Sequence, residues 1–195
     1  MKNLFLALIL GLSVSVAAAA DKVPAHPSIK METTEGNVLL ELNGKEAPLT
    51  VGHFLELVDS GFYDGLIFHR VIPGFMAQGG AYTPSFTNKE PDDSIPNESG
   101  NGLSNLRGTI AMARTADPHS ANTQFFINVG NNVRLDPNKS TVGGSWGYTV
   151  FGFVIEGMEV VDKIVNVQTG PQGPFPKDVP VVPIVIKKIS RYTFE

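Results

Sequence analysis

The sequence predicts a mainly β domain, a closed eight-stranded antiparallel β-barrel capped by two α-helices. Its 20 glycines and 14 prolines cut the chain into short apolar runs, the pattern of many strands joined by turns rather than of a helical bundle. Only two stretches carry apolar residues at helical spacing. Eight strands left as an open sheet would expose edges that closure removes. Periodicity by itself fits a two-sheet sandwich nearly as well.

Residues 1–20 are set apart from the rest. Lys2 precedes an apolar run from Leu4 to Ala20 that ends in four alanines before Asp21. This is the pattern of a secretory signal peptide, with Ala18 and Ala20 at the small-residue cleavage positions. The run is interrupted by Gly11, Ser13 and Ser15 and falls short of the roughly 20 apolar residues that a bilayer-spanning helix needs. Cleavage after Ala20 leaves residues 21–195 as one domain, enough for a sizeable core and too few for two.

The first two strands are expected at 29–33 and 38–42, joined through Glu35-Gly36-Asn37 as a hairpin turn. A helix over 50–60 follows. It places Val51, Phe54, Leu55 and Val58 at i, i+3, i+4 and i+7, with Thr50 as N-cap and Gly61 just past its end. Further strands are expected at 66–72, 75–78, 109–114, 125–129 and 150–153. A shorter helix over 158–165 sets Val161 and Ile164 on one side with Gly157 at its entry. A last strand at 181–189 completes the eight.

Lysine and arginine number 15 against 19 acidic residues, a net charge of −4, and losing Lys2 with the leader makes the remainder more negative. With no long basic run, this argues against nucleic-acid binding. The chain has no cysteine, so disulfide and thiolate chemistry are absent and an oxidising compartment is permitted without being demanded. His26, His53, His69 and His119 lack metal-ligand spacing. Asp136-Pro137-Asn138-Lys139-Ser140 starts like a calcium loop, but Thr141 replaces the required glycine and Gly147 the terminal glutamate. Asn97-Glu98-Ser99 and Asn138-Lys139-Ser140 are glycosylation sequons, meaningful only in a compartment that glycosylates. No cofactor and no metal is expected.

The chemistry concentrates between Phe68 and Gly80, where Arg70 lies close to Phe75, Met76 and Gln78. A guanidinium stays charged and presents several donors in one plane, while Phe and Met offer adaptable apolar surface. That mix suits holding a proline better than breaking a bond. Gln124-Phe125-Phe126-Ile127-Asn128 adds a second aromatic pair on a neighbouring strand. His69 invites an acid/base reading, but strand alternation sends His69 to the face opposite Arg70.

In residue order and spacing both segments resemble the cyclophilins, the proline cis/trans isomerases, and looser matches extend from about Ile29 to Ile189. The resemblance implies the barrel architecture and makes Arg70 the catalytic residue. Phe75, Met76, Phe126 and Leu135 are the candidate pocket walls, and the resemblance assigns Phe75 and Met76 to the proline site, which implies a local bend after Pro73-Gly74. Gln78 is then expected to bridge Arg70 and the substrate backbone, and His69 becomes a site neighbour acting more through its backbone than its ring. Ala113, Arg114 and Thr115 match the strand whose main chain pairs with bound peptide, a role that tolerates varied side chains.

Two positions depart from the family pattern. Arg134 falls where many members carry tryptophan, and Tyr148 where many carry histidine, after a loop from Asp136 to Gly147 that is longer than in compact members. Tyr148 is expected to serve as a ring wall of the pocket. Peptide isomerisation is expected to survive both changes; tight binding of the macrocycle cyclosporin is the property they put at risk. The expectation is therefore a secreted peptidylprolyl cis/trans isomerase of the bacterial periplasm, acting as a monomer on proline-containing polypeptides and unfolded exported proteins, with no membrane attachment after cleavage. The alternative, motivated by Arg134 and Tyr148, is a chaperone-like module that binds proline segments without catalysis.

Overall fold

The computed structural model describes residues 23–138 and 144–194. The expected leader at 1–20 lies outside the described residues, as do Lys139, Ser140 and Thr141 of the calcium-like loop and its sequon. Among the described residues, ten strands and two α-helices occur in the order β1 (Ser28–Thr33), β2 (Asn37–Leu42), α1 (Pro48–Asp59), β3 (Phe68–Ile72), β4 (Met76–Gly79), β5 (Thr109–Met112), β6 (Phe125–Asn128), β7 (Val150–Glu156), α2 (Met158–Val165), β8 (Thr169–Gln172), β9 (Phe175–Pro180) and β10 (Ile186–Tyr192).

Eight strands form one antiparallel sheet in the order β10-β1-β2-β7-β5-β6-β4-β3. The sheet curls until its two edges meet, but among the described residues no ladder joins them. A single bridge, Ile67 to Val185, crosses the seam, supported by the Phe68 N–H donating to Ile184 (3.0 Å) and the Ile186 N–H to Leu66 (2.8 Å). The expected eight-stranded antiparallel architecture with two helices is present, as a curled sheet open along most of that seam rather than a closed barrel. The last strand is shifted to Ile186–Tyr192, because Pro183 cannot donate to a ladder.

Helix α1 buries Val51, Phe54, Leu55 and Val58, the stripe that its periodicity requires. Phe54 meets Tyr63, Phe125 and Phe151 at ring-centroid distances of 5.1, 5.8 and 5.1 Å. The helix begins earlier than expected, with Pro48 in its first turn, where a missing N–H costs nothing. Thr50 is not its N-cap. The Glu98 carboxylate, from a distant loop, accepts the Leu49 N–H (3.1 Å), the Thr50 N–H (2.8 Å) and the Thr50 hydroxyl (2.7 Å). Helix α2 spans the expected residues, entered through Gly157 at φ +87°. A Cβ there would lie 2.3 Å from the Asn37 carbonyl oxygen.

Strands β8 and β9 form a separate hairpin that the sequence does not announce. Their residues, rich in Pro and Gly, lack the alternation of a half-buried strand. The hairpin packs against β3.

Alternation along the central strands divides the apolar residues between two clusters. Ala77, Ile110, Met112, Phe125, Ile127 and Phe151 point into the main core. Met76, Ala111, Phe126 and Val150, their neighbours in sequence, belong to a second cluster on the opposite face of the same sheet, joined by Phe75, Leu135 and Tyr148. That outer cluster is where the site lies.

Candidate active site

A row of residues crosses the outer face in register. Arg70 pairs with Gln78 across β3 and β4, Gln78 with Phe126, Phe126 with Ala111, and Ala111 with Val150. Arg70 reaches this face through a bulge. Phe68 faces Gly79 while Arg70 faces Gln78, so His69 is the extra residue between them. Regular alternation would put Arg70 on the core side with Phe68; the bulge re-aims it outward, a known use of such irregularities beside binding sites.

The bend between β3 and β4 is a turn closed by the Phe75 N–H donating to Ile72 (3.0 Å). Pro73 and Gly74, at φ +70°, occupy the positions a type II turn demands. The turn frees Phe75 from strand alternation. Its carbonyl is held by the Val129 N–H (3.0 Å) and the Asn132 side-chain amide (2.9 Å). Phe75 and Met76 can therefore face one site although adjacent in sequence.

The resulting cavity has a volume of about 230 Å³ and is lined by Arg70, Phe75, Met76, Gln78, Ala113, Arg114, Phe126, Leu135 and Tyr148. Met76 and Phe126 form its apolar floor. Tyr148 stands edge-on to Phe126 at 5.7 Å, and its N–H donates to the Leu135 carbonyl (2.9 Å), which ties the two walls together. Arg70 Nη1 is 3.5 Å from Gln78 Oε1, a long contact that leaves the guanidinium available to a ligand. The arrangement sets a fixed cation and an amide beside an apolar recess.

The family profile for cyclophilin-type peptidyl-prolyl cis-trans isomerase/CLD matches residues 28–191. The chain belongs to the cyclophilin family. This cyclophilin is 45% identical over 186 residues to peptidyl-prolyl cis-trans isomerase A of Dickeya dadantii, covering 95% of each chain. It is 52% identical over 160 residues to an isomerase of Streptomyces antibioticus, covering 82% of this chain and 95% of the relative. With peptidyl-prolyl cis-trans isomerase B of Escherichia coli it shares 46% over 162 residues, 83% of this chain and 98% of that one. A cyclophilin-type isomerase of Cryptosporidium parvum superimposes with a TM-score of 0.72 at 28% identity, over 87% of this chain and 99% of that chain. The same protein solved in the presence of the dipeptide Ala-Pro gives a TM-score of 0.70. The activity of this cyclophilin is that of a peptidyl-prolyl cis-trans isomerase.

Three of the residues expected at the site lie elsewhere. His69 is 2% exposed and sits between Tyr82, edge-on at 4.9 Å, and Phe175 of β9, stacked at 5.3 Å. Burial, with the nearby Arg70 charge, lowers its pKa to about 4. The hairpin that covers it was not legible in the sequence. Thr115 lies beyond the end of β5, exposed, with its hydroxyl turned to Ser120 (2.7 Å). Arg134 lies outside the cavity wall, its guanidinium 4.6 Å from the centre of the Phe75 ring.

Two residues join the site without having been anticipated in it. Gln78 Nε2 donates to Gln124 Oε1 (2.8 Å), and Gln124 Nε2 donates to Glu90 Oε2 (2.9 Å). Gln124 opens the second aromatic motif, a signal that was available. Nothing in the sequence links Glu90 to Arg70.

Proposed function

We propose that this isomerase works by stabilising a twisted amide with Arg70 while Phe75, Met76, Phe126, Leu135 and Tyr148 hold the proline ring, and that its clients are exported proteins. The planar peptide bond resists rotation by about 18–20 kcal/mol, so uncatalysed prolyl isomerisation takes tens of seconds. At the halfway twist resonance is lost and the proline nitrogen becomes pyramidal and more basic. A donor aimed at that nitrogen binds the twisted state more strongly than either planar one, and such differential binding accelerates the reaction. Raising a rate from ~0.01 to ~1000 per second takes about 7 kcal/mol at 1.36 kcal/mol per factor of ten, within reach of one preorganised donor and an orienting pocket.

What supports this reading is the in-register row that carries Arg70, Gln78 and Phe126 on one face. The cation and the apolar recess share a single cavity of about 230 Å³. Gln78, fixed through Gln124, holds the guanidinium from one side. The dipeptide used with the Cryptosporidium parvum relative is of the same chemical class.

The deciding experiment is exchange spectroscopy on a short Ala-Pro peptide with catalytic amounts of the protein. Exchange should rise steeply with wild type and fall by about two to three orders of magnitude with Arg70→Ala, the range for losing one preorganised donor. An Arg70→Ala variant as fast as wild type would remove the arginine mechanism. Binding of the peptide without faster exchange would favour a non-catalytic holding role.

Export is supported by the sequence of residues 1–20, with the periplasm of a bacterium as destination. Expression in a bacterium followed by fractionation should recover a periplasmic protein that begins at Asp21. A product retained in the cytoplasm with Met1 intact would overturn this.

A further inference from the structure

The cavity carries more positive charge than its chemistry requires. Arg70 and Arg114 both line it, and Arg134 covers Phe75 from outside. Among the described residues no acidic side chain lines it. Among the described residues none of the three arginines forms an ion pair, although acidic residues outnumber basic ones in the chain.

Arg114 is held without being neutralised. Its Nε donates to the Gly147 carbonyl (3.1 Å), Nη1 to Thr115 (2.8 Å) and Nη2 to Trp146 (2.8 Å), and its plane lies 4.7 Å over the Tyr148 ring. All of these partners are uncharged, so the whole positive charge stays at the cavity wall. Three of the five guanidinium N–H groups are used, and two remain for a ligand.

Three carboxylates, Asp136, Asp117 and Glu90, are turned to neutral donors. Asp136, two residues from Arg134, accepts from the Ser104 hydroxyl, the Asn105 N–H (2.7 Å) and the Asn105 side chain (2.8 Å). Asp117 accepts the His119 N–H (2.9 Å). Glu90 accepts from Gln124 (2.9 Å). A concave, partly apolar surface lined by one sign of charge focuses its field on whatever enters.

Resting on the isomerase reading above, we infer that this pocket selects proline segments carrying a carboxylate next to the proline, with Arg114 and Arg134 as the residues that set the preference. Complementary charge of this kind shapes encounter and specificity more than raw affinity. Since Arg114 is half-buried and Arg134 exposed, Arg114 carries the larger share.

The test compares Ala-Ala-Pro-Phe with Ala-Glu-Pro-Phe, Ala-Ala-Pro-Glu and Ala-Lys-Pro-Phe, with kcat/KM read by exchange spectroscopy. At low ionic strength at least one glutamate peptide should exceed the neutral one by about three- to tenfold, and the lysine peptide should fall below it. The advantage should shrink towards unity at about 0.5 M salt, where charges are screened within a few ångströms. Arg114→Gln combined with Arg134→Gln should lower the glutamate-to-alanine ratio whatever happens to the absolute rates. Equal rates for all four peptides, or a ratio unchanged in the double variant, would overturn the selectivity while leaving isomerisation standing. No acceleration of any peptide would remove the isomerase reading and the selectivity together.

Discussion

Arg70 and Glu90 stand at opposite ends of one hydrogen-bonded chain, Arg70 to Gln78 to Gln124 to Glu90. The ends determine the orientation of everything between them. Arginine can only donate and an ionised glutamate can only accept, so each amide between them must present its oxygen towards Arg70 and its nitrogen towards Glu90. Glu90→Gln removes the acceptor-only end and leaves Arg70 alone to orient the two amides. The expected result is a lower kcat with little change in KM, smaller than the roughly hundredfold lost with a primary donor. Steady-state kinetics on an Ala-Pro peptide checks it; an unchanged kcat would mean that Gln78 is oriented by other contacts.

His69 makes stability depend on mild acid. Its folded pKa of about 4 lies below the ordinary 6.5 because burial and Arg70 oppose the charged form, so the unfolded chain gains a proton first as pH falls. Stability is complete above about pH 6.5, declines between 6.5 and 4, and levels off below, for a loss of roughly 3 kcal/mol by linkage. Asp59 and Asp162 act in a lower window. Arg191 and Arg107 hold their pKa values below the ordinary 3.8, so their contribution is present above 3.8 and lost on further acidification. Denaturant titrations across pH should resolve both steps, and His69→Phe should flatten only the upper one. Among the described residues the His69 Nδ1 has no hydrogen-bond partner, so phenylalanine also removes a buried polar atom.

The parts of the fold legible in sequence are those with local periodicity. The stripe Val51, Phe54, Leu55, Val58 fixed α1, and alternation in Phe125-Phe126-Ile127 sent Phe126 outward while its neighbours entered the core. What was not legible depends on contacts distant along the chain. Thr50 looks like a helix cap, but Glu98 performs that role from a loop that sequence spacing cannot place beside it. The bulge at His69 gives the expected separation from Arg70 for a different reason, since alternation alone would have turned Arg70 inward with Phe68. The β8–β9 hairpin over His69 was hidden by its prolines and glycines.

Gly147 fixes the seat of Arg114. A Cβ at this position would lie 2.4 Å from the Pro137 nitrogen and 2.7 Å from the Leu135 carbonyl oxygen, both backbone atoms that cannot turn aside. The Gly147 carbonyl accepts from Arg114 and from Asn97 Nδ2 (3.0 Å). Gly147→Ala should therefore cost about 1–3 kcal/mol, the range for overpacking, and loosen the arginine. Trp146 is the only tryptophan and is 49% exposed, and its carbonyl is bound by Arg114. Its fluorescence should shift in the variant as well as the unfolding midpoint; an unchanged spectrum with native stability would refute the close approach.

The Glu98 carboxylate accounts for the start of α1 and gives a test that separates a hydrogen-bonded cap from general loop packing. It takes two amide N–H groups that the helix cannot satisfy internally, places negative charge at the positive end of the helix dipole, and takes the Thr50 hydroxyl as well. Its own N–H donates to Thr149 Oγ1 (3.0 Å), which anchors the loop independently of the carboxylate. Glu98→Ala should cost about 1–2 kcal/mol, as for loss of a good cap. Thr50→Val removes one of the three donors and should cost less. Because both substitutions break the same contact, the double variant should be more stable than the sum of the single losses predicts. Denaturation of all four proteins yields the coupling energy. Strict additivity would mean that the carboxylate and the helix start do not act together.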